Sequence, residues 1–231
     1  GSNNANLTQD TYVQNTSYRD EWLFEPFKTM LYGVTNTGHN HAEPLSTVSS
    51  YLAGADYTRT LIRTGTISPT LCKSDLQSVN IFASRSHGVT VLNASSETLC
   101  TGIKLNDPEN IEYGFYSHSW SGMSSSSTYI NGEDYSNLEI ALFIGCGTAA
   151  GGNEGRNLPS KIVTCGAKCA IGFKDSIDCT PSNEWIKDFF NYFSKGYTVQ
   201  DSVAYANGRA PSGSGLQSAV ICGNASLRLC P

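Results

Sequence analysis

Charge is scarce in this chain. Asp, Glu, Lys and Arg make up 15% of its 231 residues, against roughly a quarter in an average soluble domain. Uncharged polar residues, notably Ser, Thr and Asn, fill the gap. The net charge is −5 and the isoelectric point about 5.3, with no Lys/Arg cluster. Nucleic acid and anionic membranes both demand a basic patch, so neither is expected as a partner. No apolar run approaches the ~20 residues of a transmembrane helix.

Several chemical signatures are missing as well. A Gly-x-Ser-x-Gly elbow is absent, which weakens an α/β-hydrolase reading. The glycines of Gly147–Asn157 are irregularly spaced and carry no Gly-Lys-Ser/Thr, so this stretch reads as a flexible loop rather than a phosphate cradle. Cys165 and Cys169 are separated by three residues, but no second pair stands at zinc-finger spacing, and no structural zinc is expected. His39, His41 and His118 read as loop histidines, since no carboxylate constellation accompanies them. The expectation is a chain without metal or cofactor.

The length suits one good-sized domain with a single core. Residues 1–20 are polar and aperiodic and read as a flexible leader or an edge segment, followed by one domain over 21–231. Gly1-Ser2 reads as an expression scar, so any signal peptide is expected to be gone already. Low charge leans toward an extracellular or cell-surface setting, with the cytoplasm as the alternative. The eight cysteines do not settle the compartment. The sequons at Asn6, Asn15, Asn93 and Asn224 carry meaning only in a secreted eukaryotic protein. Oligomeric state is not legible.

Taken in order, Phe27–Val34 reads as a first strand. Leu45–Leu52 has apolar residues at 45, 48 and 52, a helical spacing stopped by Gly54. A second, edge-like strand is expected near Tyr57–Arg63, and a brief linking helix or turn around Ser74–Gln77. The β-α-β succession predicts a doubly wound, mostly parallel sheet flanked by helices. A small β-hairpin is expected over Val89–Leu105, after strand three, with its turn near Ala94–Ser96. The serine-dense Ser117–Ser127 reads as a mobile loop. Beyond Cys169–Phe173, a further strand, Trp185, Ile186, Phe189, Phe190 and Phe193 form an amphipathic stripe stopped by Gly196. Thr198 with Asp201 three residues on resembles a capping box for the next helix.

The rest is organised around Leu138–Ala150, a partly β-branched apolar run that halts at Cys146 between glycines. Such a run fits a strand buried on both faces of a parallel sheet. Reactive groups in open α/β sheets gather at the carboxyl ends of strands. Cys146 is therefore a candidate nucleophile, the alternative being a buried structural cysteine. Val79–Gly88 has the same form and ends in His87-Gly88. Side by side, roughly 5 Å apart, two such strands set His87 and Cys146 across one cleft. A thiolate attacks there, and an imidazole activates it and later protonates the leaving amine. Gly88 lets its backbone N–H approach an oxyanion with no Cβ in the way.

Ser86-His87-Gly88 followed by Ile144-Gly-Cys146-Gly-Thr148, with the two reactive side chains 59 positions apart, resembles the caspase-like cysteine peptidases. That superfamily includes caspases, legumain, gingipain, clostripain, separase and the CHAT domains. Ala170–Asp178 and Ala219–Leu229 are similar to the strands and loops that follow its catalytic cysteine. The resemblance implies a caspase-like fold and a Cys146/His87 dyad, with an oxyanion hole from the N–H groups of Gly88 and Cys146. It also implies an acidic residue beside the pocket for the side chain preceding the scissile bond. Asp175 or Asp178 fits, favouring Arg or Lys, unless both are solvated loop acids. Asn36 resembles a position where legumain carries an asparagine near its histidine, or else is a turn former. The loop after Cys146 is sometimes cleaved in that family, which makes Arg156 and Lys161 candidate self-cleavage points. The leading expectation is thus an endopeptidase acting on a protein or peptide substrate. An idle caspase-like binding domain and a different α/β cysteine hydrolase are the alternatives.

Overall fold

The computed structural model describes residues 11–14, 28–34, 40–55, 57, 59–106, 113–151 and 155–229. Its main sheet has seven strands: β1 (Thr11–Gln14), β2 (Lys28–Gly33), β3 (Arg59–Thr64), β4 (Ile81–Arg85), β9 (Ile140–Ile144), β10 (Cys169–Phe173) and β11 (Ala219–Gly223). Their spatial order is β1-β3-β2-β4-β9-β10-β11. The inner strands run parallel, and β1 and β11 add antiparallel edges. This is the doubly wound, mostly parallel sheet that the strand-helix succession implies.

Among the described residues five helices flank it: α1 (Leu45–Ala53), α2 (Pro69–Ser78), α3 (Leu158–Thr164), α4 (Cys179–Phe193) and α5 (Val199–Arg209). Because side chains alternate across a strand, each inner strand feeds both faces. Ile140, Leu142 and Ile144 join Ile81, Ala83 and Leu31 under α1, α4 and α5. Ala141 and Phe143 pack with Phe82, Met30 and Tyr32 under α2 and α3. Both faces are covered, which is why β4 and β9 read as near-continuous apolar runs. The α4 stripe is wholly buried, with Trp185 edge-on to Phe173 at 5.1 Å and stacked on Phe189 at 5.6 Å.

The structure revises three of these expectations. The linking element is a full helix, α2, opened by Ser68 and by Pro69 in its first turn, where a missing N–H costs nothing. The hairpin is real but larger than expected. β5 (Gly88–Leu92) and β6 (Thr98–Lys104) start a second, four-stranded sheet that continues through β7 (Gly114–Tyr116) and β8 (Thr128–Tyr129). The serine-dense stretch joins β7 to β8 and is anchored. The Ser117 hydroxyl accepts from the Thr101 N–H at 3.2 Å and donates to the Arg156 carbonyl at 2.5 Å. Within the polar start, Thr11–Gln14 is an edge strand on β3. Among the described residues, no helix is long and apolar enough to cross a membrane.

Candidate active site

Parallel pairing of β4 with β9 sets Arg85 opposite Ile144. The ladder runs one residue further, through the Ser86 N–H to the Ile144 carbonyl at 3.2 Å. His87 and Cys146 follow directly, one at each strand tip. Both are half-buried and both line a cleft of about 180 Å³ at the carboxyl end of the sheet. The structure therefore brings these two sequence-derived candidates together.

Glycine makes this approach possible. A Cβ on Gly88 would lie 2.0 Å from the Cys146 carbonyl oxygen, and one on Gly145 would lie 2.7 Å from both the Gly88 nitrogen and the Ser86 oxygen. The two strand tips thus touch backbone to backbone. Beyond Cys146 the chain reverses through Gly147, whose φ of 64° falls in the left-handed region. Gly147 donates to the Asp175 carbonyl at 3.0 Å. Thr148 fixes the turn: its hydroxyl donates to the Phe143 carbonyl at 2.9 Å and accepts from the Phe173 N–H at 3.0 Å. The Cys146 sulfur accepts from the Ile177 N–H at 3.3 Å, so the loop after β10 forms one wall of the cleft.

All seven cysteines among the described residues are free thiols. Burial pushes the thiol of Cys100 up to about 11 and that of Cys169 up to about 12, and it raises Cys72 and Cys222 as well. Those thiols are held neutral inside the protein. Cys146, at the cleft, is partly exposed.

The other sequence candidates separate. Asp178 lines the cleft as the residue preceding α4, its side chain exposed. Asp175 does not line it. Its side chain is also exposed, and its backbone N–H donates to the Ser218 hydroxyl at 3.1 Å. Asn36 and His39 lie outside the described residues. Lys161 sits inside α3, whereas the exposed Arg156 precedes it.

Further cleft residues escape a reading of the sequence. His41, placed there as a loop histidine, is buried and packs edge-on to the His87 ring, centroids 5.9 Å apart at 88°. Its Nδ1 lies 3.7 Å from the Cys179 sulfur. Arg85 is 1% exposed. Its guanidinium donates to the carbonyls of His41 at 3.3 Å and Cys179 at 2.9 Å, and to the Ser182 hydroxyl at 2.8 Å. Burial lowers its pKa, with the nearby Cys179 sulfur opposing. Arg85 thus ties the loop after β2 to the start of α4, beneath the cleft. The signal was available in principle: the strand-end rule that singles out His87 applies equally to the loop after β2, the neighbour of β4. Among the described residues, no group of three or more His, Cys, Asp or Glu is placed to hold a metal ion.

No family model matches the chain, and no curated protein does. Solved structures do match. The Arg-specific cysteine proteinase gingipain R superposes with a TM-score of 0.54 at 8% identity, over 87% of this chain and 47% of that one. A complex of the pro- and mature domains of RgpB from Porphyromonas gingivalis gives 0.53 at 8%, over 87% and 48%. A structure described only as a protease gives 0.56 at 12%, also over 87% and 48%. The fold is therefore caspase-like, shared with cysteine proteinases. The chain spans about half the length of the structures it matches.

Proposed function

We propose that this chain is a cysteine endopeptidase. Cys146 attacks the carbonyl carbon of a peptide bond. His87 takes the thiol proton and returns it to the leaving amine. The N–H groups of Gly88 and Cys146 receive the oxyanion. One observation carries this reading: the tips of two adjoining parallel strands place a partly exposed, free thiol and an imidazole in the same cleft. The fold shared with cysteine proteinases supports it.

For the side chain preceding the scissile bond, Asp178 supports a basic residue, since it is the carboxylate on the cleft wall. An Arg or Lys docked there pairs with the exposed Asp178 carboxylate. The experiment is hydrolysis of matched fluorogenic peptides carrying Arg, Lys, Asn or Asp at that position. Turnover is expected with Arg or Lys, to be abolished by Cys146→Ala and weakened by Asp178→Asn. Preference for Asp would overturn the basic assignment and leave the peptidase. No turnover on any peptide, with Cys146 inert to alkylation, would favour a binding domain.

A further inference from the structure

A second thiol in the cleft has no task in peptide hydrolysis. Cys179 is the first residue of the fifteen-residue helix α4 and is half-buried. Its sulfur meets Nη2 of Arg85 at 3.5 Å and Nδ1 of His41 at 3.7 Å. Arg85 makes its hydrogen bonds to carbonyls, a hydroxyl and this sulfur rather than to a carboxylate, Glu43 acting on it only through space, and its buried Nε has no hydrogen-bond partner. A buried guanidinium with no bonded carboxylate, an imidazole and a helix N-terminus therefore surround one partly accessible sulfur. Reactive thiolates occur in such electropositive settings.

Cys146 lines the same cleft. Its sulfur is held at 3.3 Å by the N–H of Ile177, two residues before Cys179. Asp178, between them, makes no side-chain cap bond to α4, whose first turn is held instead by Arg85 through the Cys179 carbonyl and the Ser182 hydroxyl.

We propose that Cys146 and Cys179 join in a reversible disulfide when the protein meets a hydroperoxide, closing the cleft to substrate. One thiolate attacks the O–O bond, forming an S–O bond and releasing water or an alcohol. The second thiolate attacks the resulting sulfenic acid. The S–S bond forms, the S–O bond breaks, and the departing hydroxide is protonated to water. The two sulfurs give up two electrons and the peroxide gains them. The proposal rests on Cys146 being the cleft's reactive thiol, the same reading that makes it the peptidase nucleophile. Its readout, however, is mass and not turnover.

The test is mass spectrometry of the full chain after brief treatment with hydrogen peroxide and quenching with N-ethylmaleimide. Against an untreated sample quenched in the same way, the chain is expected to carry two fewer maleimide adducts, besides the two hydrogens lost to the S–S bond. A peptide linking Cys146 to Cys179 should appear, and dithiothreitol should reverse both changes. In Cys179→Ser, and in Cys179→Ala should the first variant fold poorly, Cys146 should instead reach the sulfinic acid at least about tenfold faster than in the wild type. Cys165→Ser, off the cleft, should leave the cross-link intact. Absence of the linked peptide, with Cys146 reaching the sulfinic acid equally fast in wild type and variants, overturns the proposal. A cross-link without any peptide hydrolysis sustains it and removes the peptidase reading.

Discussion

Gly88→Ala is the substitution that probes the joined strand tips most sharply. Its Cβ would fall 2.0 Å from the Cys146 carbonyl oxygen and 2.8 Å from the Cys146 nitrogen. Ordinary contact lies near 3.5 Å, so about 1.5 Å of relief is required. Residue 88 cannot retreat easily. The His87 carbonyl is bonded to the Lys104 N–H at 2.8 Å, and Ser86 to the Ile144 carbonyl at 3.2 Å. Displacement falls on Cys146 and the turn behind it. Overpacking of this kind costs about 1–3 kcal/mol. For a domain of this size that corresponds to a fall in Tm of a few degrees, up to about 10 °C. A nucleophile misplaced by about 1 Å costs on the order of a hundredfold in rate. Thermal denaturation and the rate of Cys146 alkylation read the two effects without assuming a substrate. Gly208→Ala is the control: it lies within α5 with nothing inside 4 Å of an added Cβ, and alanine should stabilise by about 0.5–1 kcal/mol. If Gly88→Ala keeps its Tm to within about 1 °C and alkylates at the wild-type rate, the close contact of the two tips is wrong.

Other outcomes follow from the same structure. Phe189→Ala removes a fully buried ring stacked on Trp185 and should cost about 3–5 kcal/mol in chemical denaturation. Thr198→Ala removes the cap that receives the Asp201 N–H at 3.0 Å and should cost about 1 kcal/mol. Because burial raises Cys100 to about 11 and Cys169 to about 12, both stay protonated at neutral pH, where only the deprotonated form reacts. Iodoacetamide at pH 7–8 should therefore label Cys146 well before either in the folded chain, and denaturant should abolish that order. If the chain processes itself, the cut should fall at exposed Arg156 and not at Lys161 within α3, because proteolysis favours exposed loops. Equal intact masses for the wild type and Cys146→Ala would dispose of self-cleavage.

The strands that build the cleft were legible because β4 and β9 are buried on both faces. Their runs lose alternation and stop at polar residues beside glycine, so the runs themselves point to the strand tips. The α4 stripe and the Thr198 cap follow from periodicity and from local bonding. The remaining cleft residues were hidden for physical reasons. Arg85 is a charged residue in a run of buried positions, stabilised by carbonyls 44, 45 and 94 residues away in sequence, and no local pattern encodes such partners. His41 is drawn to His87 by Arg85 and by packing, not by its neighbours in sequence. The edge strand β1, Thr11-Tyr-Val-Gln14, is too short to show a period within a polar stretch, and its partner β3 lies far along the chain.

The most direct test of the Cys146/His87 site is active-site labelling with an acyloxymethyl ketone bearing Arg, followed by peptide mapping. Modification at Cys146 alone, lost in His87→Ala while the fold is retained, is the predicted result. Label on another cysteine, or on Cys146 at an undiminished rate without His87, would contradict it.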